Sequence, residues 1–127
     1  MKTNSDFEQS KMLAEFLSVE SADLMFVHTT DLEGNEHYDI DFRNNQPLLE
    51  GDIPCWSLAA LLDVIPQEIS DSEYVINITE GCDEKWVITY DHINNKNHSY
   101  YGLSTGADNL VDACYNMIVR LKKHNLI

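Results

Sequence analysis

The stretch Ile53-Pro-Cys-Trp-Ser-Leu-Ala-Ala-Leu-Leu-Asp-Val-Ile-Pro66 most constrains what this chain can become. Cys55, Trp56, Leu58, Ala59, Leu61, Leu62 and Ile65 cover more than one face of any helix drawn through them. A helix apolar nearly all round is a buried helix. Asp52 is placed to cap it, Pro54 suits a first turn and Pro66 ends it. Its β-branched residues come only at the end, which favours helix over strand. The spacing predicts a central core helix over 54–64. At 11 residues from Cys55 to Ile65 this apolar run is far short of the roughly 18 that a membrane helix needs.

Other elements follow from periodicity. A helix over 6–17 is predicted by Met12, Leu13, Phe16 and Leu17, with Ser5-x-x-Glu8 as its capping box. A second capping box, Thr105-x-x-Asp108, opens a C-terminal helix over 107–124. Leu110, Val111, Cys114, Met117, Ile118 and Leu121 line its stripe. Arg120, Lys122, Lys123 and His124 sit where cations suit the helix dipole. Strands are predicted over 24–29, 37–42, 74–79, 85–90 and 99–103. Asp31–Asn35, Glu80–Asp83 and Asn94–Asn97 have turn chemistry. The order is α-β-β-α-β-β-β-α. Short turns make neighbouring strands antiparallel. The expected fold is α+β: one antiparallel sheet of about five strands with the helices on one face, forming a single domain over 1–127.

Charge is the second constraint. The chain of 127 residues carries 22 acids and 8 bases, a formal net charge of −14. Residues 6–91 hold 20 of the acids and 3 bases, whereas residues 92–127 hold 2 acids and 4 bases. Such a field repels nucleic acid and anionic membrane and attracts basic partners. The aromatics Trp56, Trp86, Tyr90, Tyr100 and Tyr101 lack the basic footprint that base-stacking sheets carry. No signal peptide opens the chain, so a cytoplasmic protein is expected. Cys55, Cys82 and Cys114 are odd in number and widely spaced, which argues against a disulfide framework and a zinc ribbon. All three are expected as free thiols, Cys55 and Cys114 buried and Cys82 exposed in a turn.

No residue pattern carries catalysis. Asp31-x-Glu33-Gly34-Asn35-Glu36 departs from the EF-hand, whose glycine stands sixth rather than fourth. His28 and His37 could approach each other across the first hairpin beside Asp39, but no H-E-x-x-H and no His pair at i, i+4 exists. Ser57 lacks the nucleophile elbow. Gly102-x-x-x-Gly106 lacks the phosphate-loop lysine. No catalytic residue, metal or cofactor is expected.

The Pro-x-Trp-Ser-Leu-x-x-Leu-Leu helix (Trp56, Leu58, Leu61, Leu62), the strand bearing Trp86 and the terminal helix with Asp112-Ala113 and Met117-Ile118 resemble a group of small uncharacterised proteins of gut bacteria and their phages and mobile elements. The resemblance implies the same fold and brings no activity, since its matching positions are expected as core residues.

The leading expectation is therefore a small, acidic, non-enzymatic protein that binds another macromolecule, an accessory or inhibitor-type factor whose partner presents a basic protein surface. Its candidate contact residues are Glu33, Glu36, Asp39 and Asp41. Strand alternation is expected to turn Tyr38, Ile40 and Phe42 to the core and the aspartates to solvent. Full duplex mimicry is excluded, because a hairpin of roughly 20 Å would need about 12 charges to match a duplex. Two alternatives stand beside it: a small-molecule or nucleotide-signal binder with an aromatic-lined pocket, and a structural or assembly protein.

Overall fold

A computed structural model describes residues 1–81, 83 and 85–127. The elements are α1 (Phe7–Ala14), β1 (Leu24–Thr30), β2 (Glu36–Phe42), β3 (Ile53–Cys55), α2 (Leu58–Val64), β4 (Glu68–Ile69), β5 (Tyr74–Glu80), β6 (Trp86–His92), β7 (Asn95–Ala107) and α3 (Leu110–Lys123). The class is α+β, as expected. The strands, however, form two antiparallel sheets, ordered β2-β1-β3 and β4-β5-β6-β7, in place of one five-stranded sheet. The chain divides correspondingly into two compact units, Thr3–Ala60 and Met1–Lys2 with Leu61–Ile127.

In the first unit, β1 is central because Phe26 and its neighbours are strand formers flanked by two partners. β2 pairs along its whole length, Leu24 opposite Phe42 through Thr30 opposite Glu36. On the other side Leu24 lies opposite Cys55 and Phe26 opposite Ile53. The segment Ile53–Cys55, expected as the first helical turn, is thus a strand. Pro54 suits it, since a residue without an N–H is tolerated on an edge strand. Asp52 caps nothing: its carboxylate accepts from the backbone N–H groups of His28 and Leu49, each at 3.3 Å.

The start of α1 also moves. Ser5 is buried, and its Oγ lies 2.7 Å from that of Ser10 while accepting from the Trp56 N–H at 3.1 Å. The Ser5 N–H in turn donates to the Trp56 carbonyl at 2.8 Å. The capping box passes one residue on, to Asp6 and Gln9. Trp56 is fully buried and donates its indole N–H to Ser21 Oγ. The shortened α2 is opened by Ser57, whose Oγ accepts from the Ala60 N–H at 3.2 Å, with Asp23 holding the Ser57 N–H at 2.9 Å.

In the second unit, β5, β6 and β7 form a meander and β4 adds an edge that was not expected. β7 is far longer than the predicted 99–103, running from a two-residue turn after His92 to Ala107. It absorbs Thr105 and Ala107, so the second capping box does not form. Thr105 is buried and donates to the Ala113 carbonyl at 3.3 Å, and Asn109 caps α3 by accepting from the Asp112 N–H at 2.8 Å. Along α3, Val111, Cys114, Met117, Ile118 and Leu121 are buried as the stripe predicts, whereas Leu110, its first member, is only half-buried. They pack on β6 and β7, where Ile88, Tyr90 and Leu103 are fully buried. Lys2 Nζ ties the chain start to Asp112 at 2.7 Å.

Cys55 and Cys114 are free and buried. Burial pushes both thiols up, Cys114 to about 12, with hydrogen bonds from Ser5, Ser10 and Asn4 opposing the rise at Cys55. The expectation for Cys82 falls outside the described residues. No helix among the described residues is long and apolar enough to cross a membrane.

Candidate functional site

Hairpin β1–β2 carries the candidate residues, and its turn is built by Asp31. The Asp31 carboxylate accepts from the N–H groups of Glu33 at 2.9 Å and Asn35 at 2.8 Å. The hydrogen bonds, Asn35 first, hold its carboxyl below the ordinary value. Gly34 takes a φ of +85°, which glycine adopts without a Cβ penalty. The side chain that a calcium site would use is thus committed to the turn.

The register separates the four expected contact residues. Asp39 and Asp41 project from one face of β2 with His37, whose Nε2 lies 3.3 Å from Asp39 Oδ2. Glu36 is on the opposite face, with its Oε1 3.7 Å from His28 Nε2. Glu33 is in the turn. Asp39 and Asp41 therefore form a pair on one face, and Glu33 and Glu36 do not extend it. His28 and His37 likewise point to opposite faces, since His28 pairs with Tyr38 and Thr29 with His37. Among the described residues no group of three His, Cys, Asp or Glu side chains could hold a metal ion.

The apolar face of β2 is where the structure departs most from expectation. Tyr38, Ile40 and Phe42 share a face, as alternation requires, but they are not core residues. They retain 40%, 49% and 68% of their exposure. Tyr38 packs against Phe7 of α1 with ring centroids 4.7 Å apart, and Phe7 meets the buried Phe26 edge-on at 5.5 Å. That contact covers the Tyr38 end of the row and leaves Ile40 and Phe42 open. The physical reason is topological: β2 is an edge strand, and all seven of its residues are exposed.

The backbone of β2 is also open on its outer side. Arg43 N–H donates to the Asp23 carbonyl at 3.0 Å, so odd-numbered residues of β2 face β1. Antiparallel pairing alternates, so Tyr38 and Ile40 direct their N–H and C=O groups away from β1. The outward N–H of Phe42 is taken by the Asp41 carboxylate at 2.8 Å. Sequence reasoning named the strand and its two faces correctly and missed this edge; nothing in alternation distinguishes an edge strand from a half-buried one. Comparisons with protein-family models, with curated proteins and with solved structures find no match to the chain.

Proposed function

We propose that this is a non-enzymatic binding protein whose β2 edge accepts an extended, basic segment of a protein partner. The observation behind this reading is the coincidence on one strand of an open backbone edge, an exposed row of Tyr38, Ile40 and Phe42, and the carboxylates of Asp39 and Asp41 on the other face. Strand addition uses these features together: main-chain hydrogen bonds give affinity, and alternate side chains give specificity. A guest strand alternating aliphatic and basic residues would lay its aliphatic groups beside Ile40 and Phe42 and its cations beside Asp39 and Asp41. Native edges are normally blunted by charged side chains, proline or a bulge. β2 has neither proline nor bulge, and its charges, Glu36, Asp39 and Asp41, are all acidic, so they disfavour pairing with another acidic edge and favour a basic one.

The test is a titration of the labelled protein with a synthetic peptide of alternating Lys and Val, followed by amide NMR, with an alternating Ser and Val peptide as control. The expected result is selective perturbation of the Tyr38 and Ile40 amides by the basic peptide, weakened by salt and by the double reversal Asp39→Lys, Asp41→Lys. Equal binding of both peptides, or a response centred elsewhere, overturns the reading.

A further inference from the structure

The second unit carries a site of different chemistry, created by a mismatch of lengths. β7 has 13 residues and α3 has 14. At about 3.3 Å per strand residue and 1.5 Å per helical residue, β7 is roughly twice as long as the helix lying on it. The helix ends at Gly102: Arg120 Nη1 donates to the Gly102 carbonyl at 3.0 Å, and the His124 ring lies 3.2 Å from where a Gly102 Cβ would stand. The part of β7 before Gly102 therefore extends beyond the helix.

At that junction the sheet is deformed. Thr89 pairs with Ser104 and Asp91 with Ser99, so the single residue Tyr90 stands opposite Tyr100–Leu103. Gly102 takes a φ of +79° within this bulge. Bulges re-aim side chains and occur disproportionately beside functional sites. This one leaves Tyr101 93% exposed. Beside it, Tyr74 forms the centre of a ring cluster, 5.1 Å from Tyr100, 5.3 Å from His92 and 6.0 Å from His98. Tyr74, His98, Ser99, Tyr100, Tyr101 and His124 line an open cleft of about 350 Å³, within the usual range for small-ligand sites.

The cleft lies in the less acidic part of the chain: five of its six lining residues fall within residues 92–127, which hold 2 acids and 4 bases. None of its six lining residues is acidic, although the protein carries a net charge of −14. Asp91, which reaches the lining through Ser99 Oγ at 2.8 Å, is also engaged by Asn77 Nδ2 at 2.9 Å. Arg120 and Lys123 stand in the last turn of α3, next to His124. Aromatic faces, imidazole donors and nearby cations suit a planar heteroaromatic ring bearing an anionic group. The acidic body disfavours a long polyanion.

We infer that the cleft between the β7 bulge and the end of α3 binds a free mononucleotide, with the base stacked on the tyrosine rings and the phosphate directed toward His124 and the cationic end of α3. This site is independent of the β2 edge and uses none of its residues.

The test is NMR titration of the full chain with AMP, adenosine, inorganic phosphate and a six-nucleotide oligoadenylate. AMP is expected to shift the imidazole resonances of His98 and His124 saturably, and adenosine to bind more weakly. Tyr101→Ala is expected to weaken AMP binding at least about fivefold, the lower end of what loss of one stacking ring costs. Because Tyr101 is so exposed, that variant should keep the wild-type amide spectrum; His124→Ala provides a second one. Absence of His98 and His124 shifts at millimolar AMP, or unchanged affinity in Tyr101→Ala, overturns the inference. Tighter binding of the oligoadenylate than of AMP overturns the free-nucleotide assignment.

Discussion

The indole N–H of Trp56 donates to Ser21 Oγ at 2.9 Å, joining the fully buried Trp56 to the half-buried Ser21, 35 positions away in the N-terminal unit. Replacing Trp56 with Ala removes both the ring volume and that bond and should cost about 3–5 kcal/mol. Trp56→Phe keeps most of the volume and leaves Ser21 without its donor, so it should cost less. Urea unfolding followed by circular dichroism measures both, and equal midpoints for the two variants would show that the hydrogen bond, not the packing, dominates.

Asp23 supports the start of α2 through Ser57. Its carboxylate takes the Ser57 N–H at 2.9 Å and also the Ser57 hydroxyl, and Ser57 Oγ accepts from the Ala60 N–H. Asp23→Ala should destabilise the protein by about 1–2 kcal/mol, the usual cost of losing a cap and its support. Ser57→Ala should cost a similar amount. The double variant should cost less than the sum, because both act on one network; strict additivity in a thermal or urea cycle would refute the coupling.

Gly102 should resist substitution for two separable reasons. Its φ of +79° strains any residue with a Cβ, and that Cβ would approach the His124 ring to 3.2 Å. Gly102→Ala should therefore lower stability by roughly 1–3 kcal/mol. Combining it with His124→Ala relieves the contact but not the backbone strain, so the double variant should recover part of the loss. Complete recovery would mean that the left-handed conformation is not required.

Asp91 predicts a pH dependence. Desolvation raises its pKa, but hydrogen bonds from Asn77, Ser99 and Thr89 outweigh this and hold the carboxyl below its ordinary value. A folded-state pKa below the unfolded one adds stability that is present above the unfolded value, near 4, and lost as pH falls through the folded one. Asp91→Asn should thus be less stable than wild type at pH 7, and the gap should narrow as pH drops from about 5 toward 3. A gap independent of pH, measured by thermal melts across that range, would show that the ionised form is not what the site stabilises.

The buried thiols predict low reactivity. With Cys114 pushed up to about 12 and Cys55 also raised, neither is a thiolate at neutral pH. An aromatic disulfide reagent at pH 8 should modify neither in the folded protein and both after unfolding without reductant. Rapid native labelling of Cys114, read by mass spectrometry of its peptide, would contradict its burial.

Local pattern placed Trp56 in a helix buried nearly all round, whereas Trp56 precedes α2 and Ala59 and Leu62 of that helix are exposed. Local pattern alone did determine the helix of the buried stripe from Val111 to Leu121 and the strand from Leu24. Each depends on residues within a few turns of one another, where side-chain period and composition leave one solution. Boundaries were less legible. Ser5-x-x-Glu8 and Asp6-x-x-Gln9 are adjacent and chemically equivalent caps, and the contact of Ser5 with Trp56, 51 residues away, selects the second. Pro54 fits a helix start or an edge strand equally well, and the decision belongs to β1, which pairs with it. For the candidate binding edge, alternation established which residues of β2 share a face, because the strand period is two wherever the strand lies. Whether Tyr38, Ile40 and Phe42 are covered depends on the number of strands and on which one is last, and these are decided only when distant segments compete to pair with β1.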